Sequence, residues 1–154
     1  MDPNAFVYCQ KKGKLEKRKI RKLKKGDIIV AVSKDWNIKM VKVNTVFVRI
    51  LPSILVTKYT FKNGNTLIAS DCQKLTKLYN APYNEDEPLD SGTFMTFKYE
   101  NGNRYIGMTE IQSAEGLEQN VLVRLYALNC EENNNLTNGI IVNGVPVNSF
   151  NLSQ

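Results

Sequence analysis

The sequence contains no histidine. That absence removes Ser-His-Asp and Cys-His catalytic sets and every zinc site that needs an imidazole ligand. It also removes the side chain that most often carries protons near neutral pH. Cysteine is scarce, and Cys9, Cys72 and Cys130 are too few and too scattered for a disulfide framework or a paired-thiol metal site. Neither a metal nor a cofactor is expected, and a reducing compartment such as the cytoplasm is the default. No run approaches the ~18 apolar residues of a membrane span, and the first residues lack the apolar stretch of a signal peptide. No membrane partner is expected. No segment carries a capped helical period either.

What is present suits one soluble domain over residues 1–154, with 42% hydrophobic and 23% charged residues. A monomer is expected. The net charge of +6 is unevenly placed: ten of the 21 basic residues fall between Lys11 and Lys25, where Glu16 is the only acid. Such a window could hold phosphates, so Lys17, Arg18, Arg21 and Lys22 are candidate contacts to nucleic acid or another polyanion. No aromatic platform is interleaved with these lysines, as single-strand binders usually need, so any such binding is expected to be weak. The plainer reading is a solvated basic hairpin over residues 6–25, with Leu15, Ile20 and Leu23 turned inward.

Beyond residue 27 the texture is that of strands. Asp27–Val32, Val41–Val48, Ile54–Phe61, Thr66–Ala69, Thr93–Tyr99, Arg104–Met108 and Val121–Leu128 are rich in β-branched and aromatic residues. Asn63-Gly64 and Asn101-Gly102 separate pairs of these runs, and Asn-Gly favours the type I′ hairpin turn because both its central residues need positive φ. The same pair recurs at Asn138-Gly139 and Asn143-Gly144. Residues 80–92, with Pro82, Glu85, Asp86, Glu87, Pro88 and Asp90, read as an acidic surface loop. The sequence predicts an all-β domain of about ten or more short strands.

The order of these motifs resembles the hedgehog/intein (Hint) family of autoprocessing domains. Ile20-Arg-Lys-Leu-Lys-Lys-Gly-Asp-Ile-Ile-Val-Ala-Val32 is similar to the family's Ile-x-x-Leu-x-x-Gly-Asp turn and the apolar strand after it. Asp2-Pro-Asn-Ala-Phe-Val7 looks like the stretch that follows the nucleophile. Thr60-Phe-Lys-Asn-Gly-Asn-Thr-Leu-Ile-Ala-Ser-Asp-Cys72 is similar to the second motif, a hairpin and strand that lead into Thr-x-x-His. Val123–Leu128 with Asn135-Leu-Thr-Asn-Gly-Ile-Ile-Val-Asn-Gly-Val145 looks like the closing motif. The resemblance runs from residue 2 to about 150 and implies a horseshoe-like fold. Its N-terminal strand and the strands of Asn138–Asn148 would lie together. Only about twenty residues separate Cys72 from Thr93, too few for an inserted nuclease domain.

In that family the first residue, a cysteine or serine, attacks the carbonyl before it, and the histidine protonates the leaving nitrogen. A terminal asparagine then cyclises in inteins. The resemblance places the nucleophile at Met1 or just before it, the Thr-x-x-His positions at Ala69 and Cys72, and the His-Asn pair at Asn143 and Gly144. None of these carries the expected group. Asn148-Ser149 also resembles a splice junction, four residues later, with Val147 where a histidine belongs. The implied activity is therefore autoprocessing by acyl shift, self-cleavage or splicing, with flanking polypeptide as the partner, the chain as written being either inactive or truncated just after its nucleophile. A polyanion-binding β-domain or a structural module of a larger assembly are the alternatives. Cys72 could weakly replace the proton donor and Asp71 could serve as an acid or base, though a buried thiol and a turn carboxylate are simpler. Cys9 reads as a packing residue, Cys130 as a surface or half-buried thiol with no role, and Trp36 as a loop-edge anchor.

Overall fold

The computed structural model describes residues 1–71, 73, 75–78, 92–117, 120–131 and 137–148, and the account below concerns these. Residues 80–91 of the acidic loop lie outside them. Eleven strands follow one another: β1 (Phe6–Lys11), β2 (Lys14–Lys19), β3 (Ile28–Ser33), β4 (Ile38–Pro52), β5 (Val56–Phe61), β6 (Thr66–Ser70), β7 (Thr93–Glu100), β8 (Asn103–Gly116), β9 (Leu122–Cys130), β10 (Thr137–Val142) and β11 (Val145–Val147). One-turn 3-10 helices stand at Ile20–Lys22 and Ser53–Leu55, and no long helix is present among the described residues.

All pairings are antiparallel. One sheet runs β11-β10-β3-β1-β2, with β4 on the other edge of β3. The 15-residue β4 then shifts register after Val43 and continues as a long ribbon with β9, from Thr45↔Asn129 to Pro52↔Leu122. The second sheet has the order β6-β5-β8-β7. Here the 14-residue β8 pairs with β7 through Asn103–Glu110 and with β5 through Ile111–Gly116. Both long strands exceed their apolar runs. Glu110, Gln112 and Glu115 interrupt the pattern without ending the strand, because β8 changes partner midway.

The apolar run Ile28–Val32 is continuous because both faces of β3 are covered. Ile29 and Ala31 join the main core with Val7, Cys9, Phe61, Phe94, Ile140 and Val142. Val30 and Val32 face a second cluster with Tyr8, Met95, Phe97 and Ile141. The Tyr8 and Phe97 rings meet edge to face at 5.2 Å, and Phe61 meets Phe94 likewise at 5.7 Å. In the basic hairpin, Ile20 and Leu23 are buried and Leu15 packs on the second cluster. Trp36 packs there too, which fits an anchor at a loop edge.

The turns divide the Asn-Gly pairs. Asn101-Gly102 and Asn143-Gly144 have positive φ at both residues, as a type I′ turn requires, and so does Lys12-Gly13 between β1 and β2. Asn63-Gly64 does link β5 to β6, but only Gly64 has positive φ, and the loop is closed by Phe61 N–H on the Asn65 carbonyl at 2.8 Å. Asn138-Gly139 is no turn. It lies inside β10, where the register against β3 shifts between Thr137 and Gly139. Gly139 sits at φ +129°, and a Cβ there would stand 2.7 Å from the Val147 carbonyl oxygen. The end of β11 therefore rests on a bare backbone.

This contact generates a test. Gly139→Ala should cost about 1–3 kcal/mol from backbone strain alone and more from the clash, as measured by urea unfolding. Gly102→Ala, in an open turn, should cost only the ~1–2 kcal/mol of a left-handed alanine. Equal losses would show that β11 does not bear on Gly139.

Candidate functional site

The ends of the described chain meet along one line of backbone, formed by β6 and the residues just after it. On one side, Asp2 N–H donates to the Ile68 carbonyl of β6 at 3.0 Å. Met1 bonds to β9 as a strand residue would: its amino group donates to the Tyr126 carbonyl at 2.8 Å, and Tyr126 N–H donates to the Met1 carbonyl at 2.6 Å. The Met1 side chain is buried in the main core, which also contains Ala69. Beyond β6, Leu75 bridges to Val147 of β11, and Thr76 N–H donates to the Pro146 carbonyl at 3.2 Å. Ile68 thus touches the Met1 end, and Leu75 and Thr76 touch the Asn148 end.

Asn148 is held at two points. The Gln73 side-chain amide donates from Nε2 to the Asn148 main-chain carbonyl at 2.5 Å. The Thr76 hydroxyl donates to Asn148 Oδ1 at 2.6 Å. One bond therefore reads the backbone carbonyl and the other orients the carboxamide. Neither Gln73 nor Thr76 was among the residues picked out by sequence. A signal for Gln73 existed: Ser70 and Gln73 keep the hydroxyl-x-x-polar spacing of the family's second motif, one residue later than Ala69 and Cys72.

The sequence candidates fall as follows. Met1 and Ala69 are in the core beside the line just described, and Ala69 has no polar group to hold a peptide. Cys72 and Ser149 lie outside the described residues. Asn143 is a turn residue: its Oδ1 accepts from Phe6 N–H at 2.9 Å and its Nδ2 donates to the Thr66 carbonyl at 2.7 Å. Its N–H also donates to the Phe6 carbonyl. With Gly144 it makes the turn into β11, and both ends of its amide tie strand ends together. Asp71 is exposed, accepts from the Thr57 hydroxyl at 2.6 Å and donates its own N–H to Leu55, which braces the end of β6.

The basic window is partly neutralised within the fold. Arg18 pairs with Glu16 at 2.9 Å and with Asp27 at 3.3 Å. Its bond to Glu16 pushes the guanidinium pKa further up. The Lys17 ammonium lies 4.7 Å from the centre of the Phe6 ring. Arg21 and Lys22 are exposed on the 3-10 turn. Among the described residues no group of three Cys, Asp or Glu side chains could hold a metal.

No protein-family model matches the sequence, and no curated protein is similar to it in sequence. Solved structures do match. A mini-intein variant of the Ssp DnaB intein superposes with a TM-score of 0.78 at 15% identity, covering 100% of this chain and 96% of its own. The DnaB intein from Synechocystis sp. PCC 6803 gives 0.71 at 14%, over 98% of both chains. The DnaX mini intein from Spirulina platensis gives 0.71 at 8%, over 97% of this chain and 98% of its own. The protein has the hedgehog/intein (Hint) fold.

The thiols yield a second test. Burial pushes Cys130 up to about 12 and raises Cys9 as well, so both stay protonated at pH 8. In a Cys72→Ser variant, neither should react with a disulfide reagent at pH 8 until the protein is unfolded. The unfolded chain would lose the Cys130 proton near its ordinary 9.0 while the native chain keeps it. Stability should therefore fall as pH rises from about 9 toward 12. Rapid native labelling of two thiols would contradict this.

Proposed function

We propose that this protein is an autoprocessing domain that acts on its own flanking polypeptide, and that the chemistry left to it lies at the Asn148–Ser149 bond. The observation that carries the reading is the doubly held Asn148, on the same line of backbone that holds Met1. At the N-terminal side, the Met1 thioether itself has no proton to lose and cannot form a thioester.

At the other side the reacting groups belong to one residue. The Asn148 Nδ2 attacks the Asn148 carbonyl carbon, and a C–N bond closes a five-membered imide. The bond to the Ser149 nitrogen breaks, and the proton lost from Nδ2 ends on that departing amine. No redox partner or cofactor is needed. Without histidine the proton must travel through water, so the reaction is slow.

A fusion with a reporter protein after Ser149 tests this. Reporter should be released over hours to days, leaving a domain that ends in a C-terminal succinimide, one water lighter than the hydrolysed chain. Asn148→Ala should abolish release. Release that is unchanged in Asn148→Ala, or absent from both proteins, would refute the reading. A Met1→Cys variant with an upstream fusion should gain thiol-dependent release, again slowly, since a missing general acid typically costs on the order of 10²–10⁴.

A further inference from the structure

We propose that Gln73 and Thr76 drive ring closure at Asn148, Gln73 as the catalytic donor to the carbonyl under attack and Thr76 as the positioning residue for the attacking carboxamide. The inference rests on the function proposed above and assigns roles to two residues to which the motif alignment gave none. Attack on the Asn148 carbonyl turns its oxygen into an oxyanion. A donor already 2.5 Å from that oxygen, on a segment fixed by backbone bonds, stabilises the charge as it forms. Gln73 is fixed in this sense. Its own N–H donates to the Ser70 carbonyl at 3.0 Å, and the Leu75–Val147 bridge and the Thr76–Pro146 bond follow within three residues.

Thr76 acts on the other partner. A carboxamide presents either its oxygen or its nitrogen to a given neighbour, and a hydroxyl donor at 2.6 Å selects the oxygen. With Oδ1 on Thr76, Nδ2 becomes the end available for attack. The pair therefore sorts the two carbonyl groups of one residue: Gln73 activates the electrophile, and Thr76 turns the nucleophile. A glutamine amide donates hydrogen bonds but no proton, so this arrangement polarises the bond without protonating the leaving amine.

The reporter fusion distinguishes this inference from the reading beneath it. Gln73→Leu should slow release on the order of 10²-fold, the usual cost of one oxyanion donor, with an unchanged far-UV spectrum. Thr76→Val should slow it several-fold, and Thr76→Ser should restore it. Gln73→Glu gives a readout that a merely structural role would not move. Above a pH of about 4.3 its carboxylate repels the oxyanion, so release should be poor at neutral pH and recover in acid. Gln73→His should speed release and impose a pH dependence centred near about 6.5, because it adds a proton donor. Release that depends on Asn148 but not on Gln73 or Thr76, with flat pH profiles, would overturn this inference alone. No release from the parent or from Gln73→His would overturn both.

Discussion

Everything at the site depends on β6 and the described residues after it, Gln73, Leu75 and Thr76, being held in place while they serve different ends of the chain. Ile68 receives Asp2, and Gln73, Leu75 and Thr76 receive Val147, Pro146 and Asn148. The stretch can do this because β6 is anchored by five register pairs to β5, from Val56↔Ser70 to Thr60↔Thr66. Leu67, Ala69 and Leu75 are fully sunk in the main core. Moving it would expose those side chains, of which the two leucines are each worth roughly 1.5–3 kcal/mol when buried. Gly139 completes the arrangement from below, since only a residue without Cβ lets the end of β11 lie this close.

The chemistry such a frame can support follows from what the side chains are. Gln73 and Thr76 donate hydrogen bonds there, but histidine, the side chain that most often carries protons near neutral pH, is missing from the entire sequence. The proposed reaction suits that inventory, because it asks for alignment and carbonyl polarisation before it asks for a proton. The basic hairpin is a separate matter. Arg18 is committed to Glu16 and Asp27, while the lysines of the window stay exposed.

The fold was legible because its signals are local. Asn101-Gly102 and Asn143-Gly144 specify left-handed turn backbone, and the run Ile28–Val32 specifies a strand covered on both faces. The site was less so. Counting Thr-x-x-His from the hairpin pointed to Ala69 and Cys72, whereas the described hydrogen bonds begin one residue on, at Gln73. Asn143 and Asn148 are both asparagines after valine near the chain's end, and sequence alone ranked them by spacing. Only tertiary contacts separate a turn residue bound to Phe6 and Thr66 from one bound to Gln73 and Thr76. Asn138-Gly139 misled for a related reason, since a bulge and a turn both favour a residue with positive φ.

The most direct test of the central claim is a solution NMR measurement of the Gln73 side-chain amide in the full chain, with Asn148 labelled at its carbonyl carbon. A hydrogen bond across this pair predicts a slowly exchanging Gln73 Nε2 proton, a scalar coupling through the bond to the Asn148 carbonyl carbon, and its loss in Gln73→Leu. A Gln73 amide that exchanges at the solvent rate and shows no coupling would contradict the account.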